Sequence, residues 1–170
     1  MASLESLYQQ VILDHAREKH GHGLREPAST VRTADSRQYN PLCGDEVTLR
    51  LAISGSRAER TVADVSWAGE GCSISQAATS VLHDLVVGRS VLQAQEILAD
   101  YRQMLRARGE SEPDEDVLGD AVAFAGVARH ANRVKCAMLG WTAFEDALVR
   151  TQAQEQPNEP VNEHGEGEVR

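Results

Sequence analysis

Three cysteines and one aspartate are the residues of this sequence best suited to bind a metal ion. Cys43 and Asp45 are separated only by Gly44, whose backbone freedom would let both side chains turn towards one point. Cys72 follows a Gly-Glu-Gly stretch, and Cys136 ends the segment Arg-Val-Lys-Cys. Thiolates are soft ligands that suit zinc or iron–sulfur clusters better than magnesium or calcium. Because zinc accepts mixed tetrahedral sets of cysteine and aspartate, the four residues could form one zinc site if the fold brings them together.

The surroundings of two of these cysteines favour the thiolate, the form that binds metals and attacks sulfur. Cys72 lies where a predicted strand ends and a predicted helix begins, and a helix N-terminus carries unpaired N–H groups and a partial positive charge. Arg133 and Lys135 place two cations next to Cys136, which should lower the pKa of that thiol. The alternative is that the cysteines are simply buried small hydrophobic residues, as free cysteines often are.

The histidines are weaker candidates. His15 and His83 lie in predicted helices, where a single histidine is more often packed or solvated than bound to a metal. His20 and His22 flank glycines in a loop and could bind a metal adventitiously. A Cys–His catalytic dyad stays open, because its partners need not be close in sequence. The sequence contains no phosphate-binding loop of the Walker or Rossmann type.

The first half of the chain, which must position Cys43 and Asp45, has the pattern of one helix and a small sheet. Apolar residues recur at helical spacing over residues 3–19. Residues 20–44 look irregular apart from a possible short strand around 30–34. Strict alternation of apolar and polar residues predicts a strand over 45–54, and a strand over 61–68 would pair with it as a hairpin.

The second half of the chain has the pattern of helices. We predict helices over residues 73–87, 90–108, 114–127 and 132–150. A sheet of two or three strands needs a helical layer over it for stability. The fold class is therefore α+β, with a small antiparallel sheet of about three strands covered by about five to six helices.

Composition limits the classes of function. The chain has 170 residues, of which 41% are hydrophobic, and this fits a single domain over residues 1–150. The net charge of −9 argues against binding to nucleic acid or to an anionic membrane surface. No apolar run reaches the roughly 18–20 residues that span a bilayer, and the N-terminus lacks the pattern of a signal peptide. We therefore expect a cytoplasmic protein.

The end of the chain differs in composition from the rest. Residues 151–170 contain five glutamates and two prolines and almost no apolar side chains. Such a segment cannot bury enough apolar surface to offset the entropy of ordering. We expect a disordered acidic tail there.

Three segments of the sequence resemble the signature motifs of a known family. They are Asn-Pro-Leu-Cys-Gly-Asp at 40–45, Gly-Glu-Gly-Cys-Ser-Ile-Ser at 69–75 and Arg-Val-Lys-Cys at 133–136. Together with the first helix, residues 7–15, they look like SufU, the zinc-containing member of the IscU-like (NifU N-terminal domain) iron–sulfur cluster assembly family. The resemblance covers roughly residues 4–149 and implies an IscU/SufU-like fold.

The sequence is more similar to SufU than to the IscU scaffolds. IscU-type proteins have a histidine directly before the last cysteine, where this chain has Lys135. SufU proteins carry an extra segment of about twenty residues between the last two cysteines, and residues 100–120 provide room for it. The Pro-Pro-Val-Lys chaperone motif of IscU is absent. One departure from SufU is the loop at 20–23, where the family commonly has an Asn-Pro-Arg turn.

The resemblance implies a zinc ion bound by Cys43, Asp45, Cys72 and Cys136, with Cys43 as the sulfur acceptor. In the family, a histidine of a SufS-type cysteine desulfurase replaces this cysteine on zinc, and the freed thiolate attacks the desulfurase persulfide. Arg133 is the candidate contact with that partner, and a downstream iron–sulfur scaffold would receive the sulfur. The expected function is a zinc-dependent sulfurtransferase of the SUF system, which acts with the desulfurase rather than alone.

Two other functions would use the same ligands. One is an IscU-type scaffold, which would hold iron or an iron–sulfur cluster instead of zinc. The other is a structural zinc domain that only binds a partner, in which removal of zinc would unfold the protein.

Overall fold

The computed structural model describes residues 3–154, in which three strands form one antiparallel sheet. Strand β1 is Arg32–Asn40, β2 is Asp45–Ser54 and β3 is Thr61–Glu70, and the sheet order is β1-β2-β3. The turn between β1 and β2 carries Cys43, and Asn40 lies opposite Asp45 in the register. Cys43 therefore lies at the tip of a hairpin, and Asp45 lies at the start of its second strand.

Strand β1 is longer than the sequence predicted. The possible strand around 30–34 is in fact Arg32–Asn40, and most of the added residues are polar. Their partners explain why they form a strand. Asp35 lies opposite Arg50 and accepts a hydrogen bond from its guanidinium (2.9 Å), and Ser36 donates to Asp146 (2.7 Å). Such pairs form across the fold and leave no apolar alternation in the sequence.

Five α-helices in residues 3–154 complete the fold, and some of them cover the sheet. Helices α2 and α5 pack against each other, α5 also lies across β1 and β2, and α1 packs on α2. The predicted α+β architecture is confirmed. Of the helices in residues 3–154, none is long and apolar enough to cross a membrane. The helix bounds are α1 Leu4–Glu18, α2 Ser73–Val86, α3 Val91–Arg106, α4 Glu115–Leu118 and α5 Ala131–Gln154.

The predicted helix over 114–127 is wrong as a single element. Helix α4 covers only Glu115–Leu118, and two 3₁₀ helices follow at Gly119–Ala125 and Val127–Arg129. Gly119 has a φ of +48°, which ends the α-helix because α-helical φ is negative. The chain then turns inward, and Phe124 is fully buried.

Helix α5 extends past the predicted domain end at residue 150. It continues to Gln154, and Thr151 is buried. The first four residues of the expected tail are thus helical. Residues 155–170 lie outside the described residues, so disorder there stays a prediction.

Buried aromatic residues fix α5, and with it Cys136, against the other helices. The rings of Tyr101 and Trp141 stack with centroids 3.8 Å apart. Tyr101 donates its hydroxyl to the carbonyl of Ala137 (2.8 Å), and the Trp141 indole donates to the carbonyl of Ala78 (3.1 Å). These bonds join α3, α5 and α2 next to the site.

Candidate metal centre

The structure brings together the four residues that the sequence singled out. The Sγ atoms of Cys43 and Cys136 are 3.4 Å apart, and Cys72 Sγ is 3.5 Å from Oδ2 of Asp45. One ligand atom each from Cys43, Asp45 and Cys136 all lie within 4.8 Å of one another. Cys72 is not part of this mutually close set, although its Sγ faces Asp45. Its side chain would have to move to complete a tetrahedral zinc site, in which ligand atoms lie about 4 Å apart.

The hairpin turn holds Cys43 in an exposed position. Gly44 has a φ of +70°, a left-handed conformation that glycine adopts without a steric cost. Asn40 closes the turn twice: its carbonyl accepts from the N–H of Gly44 (2.9 Å), and its side-chain Oδ1 accepts from the N–H of Leu42 (3.1 Å). Cys43 is consequently an exposed thiol on a short turn.

Asp45 fixes the start of helix α2, where Cys72 is the N-cap residue. The backbone N–H of Cys72 donates to Oδ1 of Asp45 (2.9 Å), and the Cys72 thiol faces Oδ2. Gly71 leaves the space that this contact needs. A Cβ at Gly71 would lie 2.9 Å from Oδ1 of Asp45. Cys72 itself is exposed.

Cys136 differs from the other two cysteines because it is buried. It lies in the second turn of α5 with 3% of its surface exposed. Burial raises the pKa of the Cys136 thiol well above its usual range, and hydrogen bonds with Asp45 and Cys43 and the charge of Cys72 raise it further. The prediction that Arg133 and Lys135 lower this pKa is wrong, because both cations lie in solvent while the thiol lies in the interior.

The donor set fits a bound metal cation. Asp45 is 2% exposed, and a buried carboxylate is costly unless a positive charge or hydrogen bonds compensate it. In residues 3–154, its recorded side-chain contacts are to cysteine groups rather than to lysine or arginine. A divalent cation would offset the carboxylate and favour the thiolate form of the buried cysteine. Three sulfur atoms and one oxygen are a ligand set that zinc accepts.

Sequence reasoning missed two residues that support the ligands. Asn40 is buried, and its Nδ2 donates to the Sγ of Cys43 (3.6 Å) and of Cys136 (4.0 Å). Ser75 lies 3.8 Å from Cys72 Sγ and donates to the Cys72 carbonyl (3.0 Å). The Asn-Pro pair is a turn signal, but the contact of Asn40 with Cys136 depends on the tertiary fold.

The three cysteines open into a large groove beside helix α1. The groove has a volume of about 900 Å³ and is lined partly by apolar side chains of α1, including Tyr8 and Ile12. Arg133 is exposed and lines it next to Cys136, so a molecule in the groove could contact both. Lys135 lines a neighbouring hollow on the other side of α5 instead.

Of the histidines within residues 3–154, all but His130 lie apart from the cysteines. His130 shares the groove with the cysteines. Across residues 3–154, however, no hydrogen bond is recorded between a cysteine and a histidine, which leaves the alternative of a Cys–His dyad without support. His22 packs edge-to-face against Trp67, with ring centroids 4.9 Å apart. His15, His20 and His83 belong to a separate polar cluster around Asp84.

Comparison with known proteins identifies the family. The model of the NifU-like N-terminal domain family matches residues 7–137, which include all four candidate ligands. The chain therefore belongs to the NifU-like N-terminal domain family, the group that contains the IscU and SufU proteins.

Individual relatives cover nearly the whole chain. The chain is 32% identical over 151 residues to the iron–sulfur cluster assembly scaffold protein IscU of Streptococcus pyogenes, covering 89% of this chain and 88% of the relative. It is 32% identical over 149 residues to the zinc-dependent sulfurtransferase SufU of Bacillus subtilis, covering 88% and 94%. A crystal structure from Fervidobacterium islandicum, described as a scaffold protein for the SUF system, has a TM-score of 0.65 and 33% identity, covering 86% of this chain and 99% of that one.

Proposed function

We propose that this chain accepts sulfur from a SufS-type cysteine desulfurase for iron–sulfur cluster assembly. In this proposal Cys43, Asp45, Cys72 and Cys136 hold a zinc ion, and Cys43 takes the sulfur. The observation that carries the proposal is the position of Cys43, an exposed thiol on a hairpin tip that lies 3.4 Å from a buried ligand thiol at the side of a large groove.

The four ligands differ in how firmly the fold holds them. Asp45 and Cys136 are buried, and Cys72 is tied to Asp45 by its backbone N–H. Cys43 is held only by the turn and by contacts with Asn40 and Cys136. Cys43 is therefore the ligand that can leave the set with the least disturbance of the core.

The sulfur transfer is a thiol exchange. When bound, zinc would keep the thiolates deprotonated until they react. The Cys43 thiolate attacks the outer sulfur of the desulfurase cysteine persulfide, and the sulfur–sulfur bond of that persulfide breaks. The desulfurase cysteine leaves as a thiolate, and Cys43 becomes the new persulfide, so no external oxidant or reductant is needed. A reducing cytoplasm, where thiols stay free, suits this chemistry.

The groove supports docking of the desulfurase. Its volume admits a protruding segment that carries a reactive cysteine, and its apolar wall on α1 offers contact area. Arg133 lies beside Cys136 on the groove wall, where its positive charge would attract an acidic group of the partner and the negative persulfide. The sulfur would pass from Cys43 to a downstream iron–sulfur scaffold.

A scaffold function is the second candidate, because the S. pyogenes relative named as an IscU scaffold is as similar as the B. subtilis SufU. The same three thiols could hold iron or a cluster. Lys135 favours the sulfur-acceptor function over the scaffold function. It occupies the position of the IscU histidine noted above, and it lies outside the groove that contains the cysteines.

The test compares two variants that each lose one exposed thiol, Cys43→Ser and Cys72→Ser. Each protein is mixed with desulfurase and cysteine, and sulfide release and bound zinc are measured. We expect Cys43→Ser to abolish stimulation of the desulfurase, whereas Cys72→Ser should keep part of it because its acceptor remains. Full stimulation by Cys43→Ser would contradict the proposal and favour a structural zinc domain.

The metal content separates the acceptor from the scaffold. In protein purified without reconstitution the cysteine site should hold about one zinc ion per chain, with no cluster absorbance, since the proposed ligands form one four-coordinate site. Iron with cluster absorbance in the same preparation would favour the scaffold.

A further inference from the structure

A second group of metal-binding side chains lies outside the cysteine site. His15, His20 and Asp84 each place one ligand atom within 4.8 Å of the others. His15 comes from α1, His20 from the loop that follows it, and Asp84 from α2. Their convergence from three segments is a property of the fold, which the separate sequence positions do not reveal.

The environment of these residues combines a buried floor with an open side. His15 is 5% exposed, whereas Asp84 is exposed and His20 is half-buried. The ring centroids of the two histidines are 5.1 Å apart. An ion bound here would have protein ligands on its buried side and water on its exposed side. Open zinc sites have a similar arrangement of three protein ligands and one water.

Surrounding groups hold both imidazole rings in place. Ser80 Oγ lies 2.8 Å from Nδ1 of His15 and accepts the backbone N–H of His20 (2.9 Å). Ring nitrogens of histidine ligands commonly pair with hydroxyl, carbonyl or carboxylate groups, which fix the tautomer and orientation of the ring. The single hydroxyl of Ser80 therefore sets the relative position of both histidines.

Carboxylates surround the cluster and favour a cation. Asp120 Oδ2 lies 2.9 Å from Nε2 of His15, and Glu18 Oε2 lies 2.8 Å from Nε2 of His20. Asp84 Oδ2 lies 2.6 Å from Nδ1 of His20, and its other oxygen lies 3.0 Å from Nδ1 of His83. The three carboxylates place negative charge around the two imidazole rings, and a divalent ion would balance that charge.

We propose that His15, His20 and Asp84 form a second metal site that takes a divalent transition-metal ion, with zinc as the best match to two imidazoles and a carboxylate. Asp120 and Glu18 would support the rings through their Nε2 atoms. The ion would bind at the two Nδ1 atoms, where it would displace the Ser80 hydroxyl from His15 and the proton that His20 shares with Asp84. The ion would join α1 and its following loop to α2. Since α1 forms a wall of the groove, the second site would stabilise the surface beside the cysteines without taking part in sulfur transfer.

The test uses His20→Asn, because His20 is half-buried and its loss leaves the buried His15 in place. Each protein is dialysed against a buffered concentration of free zinc, and bound zinc is measured by mass spectrometry. We expect wild type to bind one zinc ion more per chain than His20→Asn. The matched control is His22→Asn in the same loop, which should bind as much zinc as wild type because the His22 ring packs edge-to-face against Trp67 and is not one of the three proposed ligands.

Two further measurements keep this site separate from the cysteine site. A protein with both Cys43→Ser and Cys72→Ser should still bind one zinc ion, and this ion should be lost when His20→Asn is added. Cobalt in that site should show no thiolate-to-cobalt charge-transfer absorbance. Equal zinc binding by wild type and His20→Asn, or thiolate absorbance from every bound cobalt ion, would overturn the proposal.

Discussion

Asp45 shows how much a single buried side chain determines at this site. It accepts the N–H of the α2 N-cap residue, faces the Cys72 thiol, and contributes a ligand atom to the cysteine cluster. It is 2% exposed, so its position depends on the atoms packed around it. The nearest constraint is Gly71, which has no Cβ to push the carboxylate away.

Substitution of Gly71 tests this constraint. In Gly71→Ala the new Cβ would clash with Ser75 Oγ and would lie 2.9 Å from Oδ1 and 3.1 Å from Cγ of Asp45, so the carboxylate and the Ser75 hydroxyl must shift. We expect zinc affinity to fall by about tenfold or more, since even changes behind a ligand cost this much. Competition with a chromophoric chelator measures it.

The control for this variant is Gly126→Ala, a glycine that lines the same groove and has open space where a Cβ would be. It should keep the zinc affinity of wild type. Unchanged affinity in Gly71→Ala would mean that Asp45 does not need its present position to bind the metal.

Among the four predicted ligands, Cys43, Asp45 and Cys136 form one close group, whereas Cys72 lies outside that group and contacts Asp45; their role as ligands stays a prediction. Residue chemistry and family motifs were enough to select Cys43, Asp45, Cys72 and Cys136. The pKa of Cys136 was predicted in the wrong direction, because charge along the sequence says nothing about burial. The role of Asn40 could not be predicted either, since Asn40 and Cys136 are far apart in the sequence and meet only in the folded structure.

Helices α2 and α5 are the elements that hold Cys72 and Cys136 at a fixed separation. They meet closely where Gly140 of α5 faces Thr79 of α2. A Cβ at Gly140 would clash most closely with Oγ1 of Thr79, and it would lie 2.9 Å from Cβ and 3.0 Å from Cγ2 of the same residue. The helices can approach this closely because residue 140 is glycine.

Gly140→Ala should therefore destabilise the protein by about 1–3 kcal/mol, the usual cost of overpacking a tight core. Denaturant unfolding of the metal-free protein measures this loss without a contribution from zinc. Thr79→Ala removes two of the three atoms in the clash, so the double variant should be more stable than the sum of the two single losses predicts. Strictly additive losses would show that this contact does not limit the approach of the helices.

Element bounds were predicted well where apolar periodicity was strong. Strand β2 and helices α2 and α3 lie within about two residues of the prediction, the usual uncertainty of element ends. Strand β1 was underestimated because its pairing uses polar side chains. The 3₁₀ segment after α4 was predicted as a continuation of the α-helix. The spacing of its apolar residues does not distinguish the two helix types, and it does not reveal that Gly119 has a positive φ.

The whole molecule places a hairpin tip, a helix start and a buried helix turn around one point beside a groove. The α+β class followed from the alternating strands and the run of helices. The groove could not be predicted from the sequence, because it forms between α1 and the segment around residue 130, and no local sequence pattern indicates contacts between such distant segments. The same applies to the histidine cluster between α1 and α2.

The most direct test of the account is to locate the transferred sulfur. Zinc-loaded protein is incubated with a cysteine desulfurase and isotopically labelled cysteine, its thiols are alkylated, and the peptides are analysed by mass spectrometry. The account predicts one labelled sulfur on the peptide that contains Cys43, and none on the peptides of Cys72 and Cys136. Labelled sulfur on Cys72 or Cys136 instead, or none on any cysteine while the desulfurase is active, would contradict it.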